Sequence, residues 1–454
     1  MANLYEVTAT NFAHDFAEFI AAAPSSYHGA AWEVAQLEQA GFVLQDEHEA
    51  WLGSSRGFVQ RGGAVIAWQL PAQISANTGF RIVGAHNDSP AFKIKPNPDT
   101  AASGFSQANV EIYGGPLLNS WLNRDLGIAG QISTIDGEIK LVRTPAVMVI
   151  PQLAPHLDHS QRDALKLRPQ GDYHPIWAVG KQSLFDYLAA AAGVDPARVA
   201  GMDLYSYDTQ APQIFGGTTG AEFLAAGRQD NLSSVFAALN AFLQVARGTQ
   251  TPHVDPAAEI AATDDVLIFA AFDHEEVGSN TFSGAAGPFL EHVLRRIAVG
   301  LTAHGLTTQD AVPEAVSDEE AYLRMLANSS CISADAGHSV NPNQPEKHDP
   351  AHQVVLGSGP LLKINAQQRY ATEAQGIALW LRACEMAGVA TQEFVSNNDV
   401  PCGSTIGPAT ATQLGIVTVD VGIPLLSMHS VREISAPVDL LALAQALLGY
   451  YAGA

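Results

Sequence analysis

The chain lacks most of the features that would point outside a cell or into a membrane. Only three cysteines occur in 454 residues. They are Cys331, Cys384 and Cys402, with no CxxC spacing and an odd count, so no disulfide framework is implied. No stretch reaches the ~18 uncharged apolar residues that a membrane span needs. The start, Met1-Ala2-Asn3-Leu4-Tyr5-Glu6, lacks the basic segment and apolar core of a signal peptide. Together these absences predict a cytoplasmic protein. Basic residues are also scarce, 23 Lys and Arg against 46 Asp and Glu, for a net charge of −23. Such a chain is a poor partner for nucleic acid or an anionic membrane, and an acidic ligand would need a local basic pocket. Repeats and low-complexity tracts are absent as well.

What is present is enough apolar material, 47% of residues, for two or three domains with sizeable cores. Phe12, Phe16, Phe19 and Ile20 recur at helical spacing over 11–22, and Phe80 to Ala85 reads as a strand. From about Pro96 to Ile214 the texture changes to short alternating runs and turn signals. Val110 to Gly115 is one such run, and Ile135 to Lys140 has an Asp-Gly centre that predicts a hairpin. After Gly227 helices and strands alternate again. Asn231 stands where it could cap a helix faced by Leu232, Val235, Phe236, Leu239, Phe242 and Leu243 and ended by Gly248. Strands are predicted at 266–272, 331–334, 389–395 and 416–421. The expected fold is α/β, a mixed, mainly parallel sheet sandwiched by helices. A catalytic domain formed by 1–95 and 227–454 would be interrupted by an inserted β-rich domain over 96–226.

The chemistry concentrates after Val266-Leu267-Ile268-Phe269-Ala270-Ala271-Phe272. Seven apolar residues in a row predict a strand buried on both faces, and such sheets place ligands at the carboxyl ends of their strands. Asp273-His274-Glu275-Glu276 follows at once. Two adjacent carboxylates there are costly unless a cation or substrate uses them. Four further segments resemble it. In Gly84 to Pro90, His86 stands two residues from Asp88, spaced so that the carboxylate could hold the second imidazole nitrogen. Asp230 opens an amphipathic helix, Asp335 leaves a short apolar strand, and His429 lies within Leu426 to Glu433. Each has an ordinary structural reading alone, as a helix cap, an Asx-turn or a core histidine. Together they offer two histidines and three acids, all expected after strands of one sheet, which meets the needs of two zinc ions sharing a carboxylate.

In order and wording these segments resemble the aspartyl aminopeptidase family of zinc metallopeptidases. The matching phrases are GAHNDSP, RQDNL, FDHEEVGS, SADAGHS, PEKHDP, GPLLKINAQQRYAT, PCGSTIGP and MHSVRE, spread from about Ser25 to the C-terminus. The resemblance implies that Asp230 bridges two metals, with Glu276 and His429 on one and His86 and Asp335 on the other. Glu275 would be the general base and Asp88 the partner orienting His86. Lys363 and Tyr370 would hold substrate near His338, His348 and His352, and a lysine there would favour an acidic first residue. His156, in the inserted domain, would reach a neighbouring subunit's site. The family further implies peptide substrates, two zinc ions per subunit (manganese or cobalt also fit such ligands), and homodimers assembling into a homododecamer.

Three positions depart from the family's usual wording. Asn341-Pro342-Asn343 replaces His-Pro-Asn, no arginine precedes the Asn398-Asp399 pair, and Asn123 stands where Asp is frequent. They bear on specificity and assembly, since none is a candidate ligand or the base. Two other readings stay open, a same-chemistry enzyme (an aminopeptidase for neutral residues or a di-zinc deacylase) and an inactive metal-binding assembly protein.

Overall fold

A computed structural model describes residues 3–51, 54–248, 264–303 and 317–454. Its largest unit is a nine-stranded mixed sheet. In spatial order the strands are Val43–Leu44, Arg56–Arg61, Ala64–Gln69, Val266–Phe272, Phe80–His86, Ser330–Ala334, Val417–Gly422, Leu361–Ile364 and Gln392–Val395. The central four are mutually parallel, so their carboxyl ends share one edge. Their continuous apolar runs follow from burial on both faces. Leu267, Phe269 and Ala271 face one core and Val266, Ile268, Ala270 and Phe272 the other. The first core is covered by helices Ala9–Ala22, Gln229–Ala246, Ala374–Ala387 and Pro437–Tyr451, the second by Phe289–Ala303. This is the α/β sandwich expected from the alternation of elements.

A second, six-stranded sheet is antiparallel throughout. Its order is Ile139–Arg143, Leu126–Thr134, Val199–Asp208, Ala91–Ala102, Phe105–Tyr113 and Ile176–Val179. It has its own core around Phe92, Ile94, Trp121, Ile128 and Leu204. The hairpin at Asp136-Gly137 joins Leu126–Thr134 to Ile139–Arg143, with Gly137 at φ 84° supplying the turn. The chain enters this sheet directly after His86 and leaves through Phe223–Ala226, which pairs with Glu433–Ser435 in a three-stranded sheet.

Two expectations need correction. Asn231 does not cap its helix. Its side chain donates to the Ala334 carbonyl at 2.9 Å and accepts from the Ala336 N–H at 3.3 Å, tying the helix to the end of Ser330–Ala334. Nor do all the candidate ligands follow strands of one sheet. Asp230 comes after Phe223–Ala226 of the three-stranded sheet, and His429 lies in a loop between Pro424–Leu425 and Glu433–Ser435. Periodicity reports which face of an element is apolar, and says nothing of which sheet a neighbouring short strand joins. The hairpin Arg56–Arg61 with Ala64–Gln69 was not anticipated either.

Candidate metal centre

Three adjacent parallel strands deliver three groups to the same edge. His86 ends Phe80–His86, Asp335 follows Ser330–Ala334, and the turn Glu275–Val277 follows Val266–Phe272. That turn is set by two left-handed residues, His274 at φ 64° and Gly278 at φ 97°. His429 is also left-handed, at φ 65°. Such conformations are uncommon for side chains other than glycine and cluster where packing over-determines them.

The two histidines flank one carboxylate. His86 Nε2 lies 3.5 Å from Asp230 Oδ1, and His429 Nε2 lies 3.3 Å from Asp230 Oδ2. Each has one further acid, Asp335 Oδ1 at 3.5 Å from His86 Nε2 and Glu276 Oε2 at 3.5 Å from His429 Nε2. Glu275 Oε2 stands 3.8 Å from His86 Nε2. Among the described residues, the groups able to surround a cation are His86-Asp230-Asp335, Asp230-Glu276-His429 and His86-Glu275-Glu276. Asp230 belongs to the first two. Asp230 Oδ1 and Glu276 Oε1 are buried without a hydrogen-bond partner, which is costly for carboxylates unless a cation neutralises them. The donor set, imidazole nitrogens and carboxylate oxygens, suits zinc.

Asp88 organises the cluster from behind. His86 Nδ1 is 3.0 Å from the Asp88 carbonyl and 3.3 Å from its carboxylate. The Glu275 and Glu276 N–H groups donate to its two oxygens at 3.0 and 3.1 Å, and the Tyr113 hydroxyl donates at 2.7 Å. One buried carboxylate thus fixes the histidine and both glutamates. Glu433 plays the corresponding part for the other histidine, accepting from the backbone N–H of Asp230 at 3.1 Å and of His429 at 2.7 Å. His429 Nδ1 is held at 2.9 Å by the Gly115 carbonyl.

Crowding of acids sets the electrostatics. Burial, followed by Asp335, Asp88 and Asp230, pushes Glu275 up to about 8 against the pull of His86. Burial and Asp230 push Glu276 well above the carboxylate range. Burial alone would lower His429, but its hydrogen bond to Asp230 and the charge of Glu276 raise it to about 10. His86 rises for the same reason through Asp230, Asp335 and Asp88, although burial opposes it. Asp230 is driven far down by the two histidines despite its burial. The pocket is short of positive charge, which a bound cation would supply.

The remaining sequence candidates spread around this centre. Lys363 is buried, donating to the Ala336 carbonyl at 2.7 Å and Asp335 Oδ2 at 3.2 Å, with its ammonium 5.3 Å from the Tyr370 ring centroid. Tyr370 is buried against Phe394. His338 reaches solvent from a crowded recess beside Phe394, where desolvation and then Lys363 hold it below its ordinary value. His348 accepts from the Asn341 N–H and His352 pairs with Asp349, both on the 345–355 loop. His156 is exposed on the 151–158 loop and is not gathered into the cluster. Three contributors were missed, Tyr113, Gly115 and Glu433. Only Glu433 carried a local signal, its place four residues after His429; the other two come from the second sheet.

A family model described as Aminopeptidase I zinc metalloprotease (M18) matches residues 19–451. A Streptomyces avermitilis protein named Probable M18 family aminopeptidase 2 is 44% identical over 446 residues, 97% of each chain. The crystal structure of prApe1 matches with a TM-score of 0.86 at 28% identity, covering 98% of this chain and 94% of that one. The structure of an S. cerevisiae mApe1 dodecamer matches with a TM-score of 0.78 at 28% identity, covering 97% and 96%.

Proposed function

The chain belongs to the M18 family of aminopeptidase I zinc metalloproteases, and on that premise we propose how its own residues divide the work. It is a zinc metallo-aminopeptidase. The reading proposed is that two zinc ions bind per subunit, one at His86 and Asp335 and one at Glu276 and His429, with Asp230 shared. The observation that carries it is the placement of Asp230 between two histidines, each of which has one further acid. Bound zinc would supply a water acidified toward ~7 and a polarised peptide carbonyl.

Glu275 is the general base in this reading. It stands beside His86 without a place in either proposed ligand trio, placed to accept a proton from water and return it to the departing amine. Asp88 keeps His86 oriented and holds the Glu275–Glu276 backbone. Lys363 and Tyr370, with His338 nearby, border the space where the first residue of a peptide would sit. Lys363 has two of its three donors committed, which leaves one N–H for an Asp or Glu side chain. His348 and His352 shape the adjoining loop.

The same reading makes residues 96–226 an inserted dimerisation domain, with 1–95 and 227–454 as the catalytic domain. The exposed His156 loop then reaches a neighbouring subunit, and dimers build a homododecamer like that of the yeast relative. The expected location is cytoplasmic; no helix among the described residues is long and apolar enough to cross a membrane. The deciding experiment pairs zinc analysis with a panel of N-terminal aminoacyl reporters. Two zincs per chain and fastest release of Asp or Glu support the reading; one zinc, or a preference for neutral residues, sinks the corresponding part.

A further inference from the structure

One buried acid has no part in this mechanism. Helix Ser26–Gln39 turns Ser26, Gly29, Ala30, Glu33 and Leu37 inward at three- and four-residue spacing. Glu33 is 0% exposed, and neither of its carboxyl oxygens has a hydrogen-bond partner. Facing it is Asn87, the residue between His86 and Asp88, buried and with its Oδ1 also unpartnered. Both groups border the space left by Gly29. A Cβ there would lie 3.2 Å from Asn87 Oδ1 and 3.7 Å from Glu33 Oε1.

The orientation of the amide is fixed by its other end. Asn87 Nδ2 donates to the Gly63 carbonyl at 3.0 Å, and turning the amide over would set two acceptors together there. Oδ1 is thereby turned to the space beside Gly29 that Glu33 Oε1 also borders, and a buried carboxylate and a buried carbonyl oxygen sharing one space are two acceptors without a donor. A proton between them resolves both.

We infer that Glu33 is held as a neutral acid whose O–H donates to Asn87 Oδ1, making it a positioning residue for the His86–Asp88 segment. Burial pushes its carboxyl up to about 8, against a smaller lowering by the Asn87 amide. The Asn87 N–H donates to the Phe272 carbonyl at 2.8 Å, at the end of the strand that leads to Glu275 and Glu276. Asn87 therefore joins three segments, and Glu33 anchors it from the helix. The inference rests on the proposed roles of His86 and Asp88.

The test compares Glu33→Gln, which keeps a donor toward Oδ1, with Glu33→Leu, which has none. In metal-free protein at neutral pH, infrared difference spectra should show a carboxylic-acid C=O stretch in the wild type that both variants lose. Competition with a chromophoric chelator should find zinc affinity near wild type for Gln and about 10–100-fold weaker for Leu. A carboxylate signature for Glu33 would overturn the inference, as expected if a water bridged an ionised acid to Asn87. So would equal zinc affinity for the two variants. If the Leu variant does not fold, the infrared difference between the wild type and Glu33→Gln still decides. Asp230→Ala serves as a control. Zinc binding unchanged by it would defeat the metal-site reading, while the infrared result would still judge Glu33 alone.

Discussion

The two histidines of the site are held very differently. The His86 side chain is 1% exposed, sits at the end of a central strand and is backed by Asp88. The His429 side chain is 31% exposed, lies in a left-handed loop and is tethered to Gly115, at the end of the second sheet. One half is fixed by the main sheet and the other is assembled where two sheets meet. Hydrogen bonds from the histidines' second nitrogens orient both rings, but only the inner one is also shut away from water. On the two-metal reading proposed above, the inner position would keep its ion and the outer one would exchange it.

The largest effect expected is that of Asp230→Ala, which joins the halves. Zinc content should fall at both positions and hydrolysis should disappear; two tightly held zincs in the variant would show that the halves are independent. Next is Glu275→Gln, which should leave both halves intact. Zinc stoichiometry is expected to stay normal while turnover drops by ~10²–10⁴-fold, and a fully active variant would exclude Glu275 as the base. The contrast between the halves is read most directly by stripping with a dilute chelator. One equivalent of zinc should leave well before the other, and His429→Ala should abolish the fast phase while keeping the slow one. A single phase in the wild type would break the comparison. The smallest effect belongs to Lys363→Met, expected to slow release of acidic first residues several-fold more than neutral ones. Equal losses on both substrates would mean that the lysine acts only by holding Asp335.

The sequence was most legible where one strand carries its own chemistry. Val266 to Phe272 announced a strand buried on both faces, and His86, Glu275, Glu276 and Asp335 leave strand ends that local patterns could locate. The setting of Asp230 and His429 is not legible, because a three-residue strand such as Glu433–Ser435 has too short a pattern to declare its partner. Asn231 resembled a cap since capping residues and buried amide clamps are the same residue types. Tyr113 and Gly115 could not be found at all. Their role comes from the approach of the second sheet, about 160 residues away along the chain from the glutamates, and no local periodicity encodes that meeting. Lys363 reads as a surface charge by composition, yet it is buried because Asp335 and the Ala336 carbonyl satisfy it.

The grip of Asp88 on two consecutive amides has a consequence for how this chain can vary. With the Glu275 and Glu276 N–H groups seated on the two oxygens of one carboxylate, the glutamates form a fork with fixed tines, one directed at His86 and the other at His429. Either side chain can be exchanged while the fork keeps its shape. Adding or deleting one residue between Phe272 and Gly278 would rotate the tines together, moving the acid meant for one histidine toward the other. The shape of this turn should therefore survive point substitution far better than a change of length, whatever a substitution does to turnover.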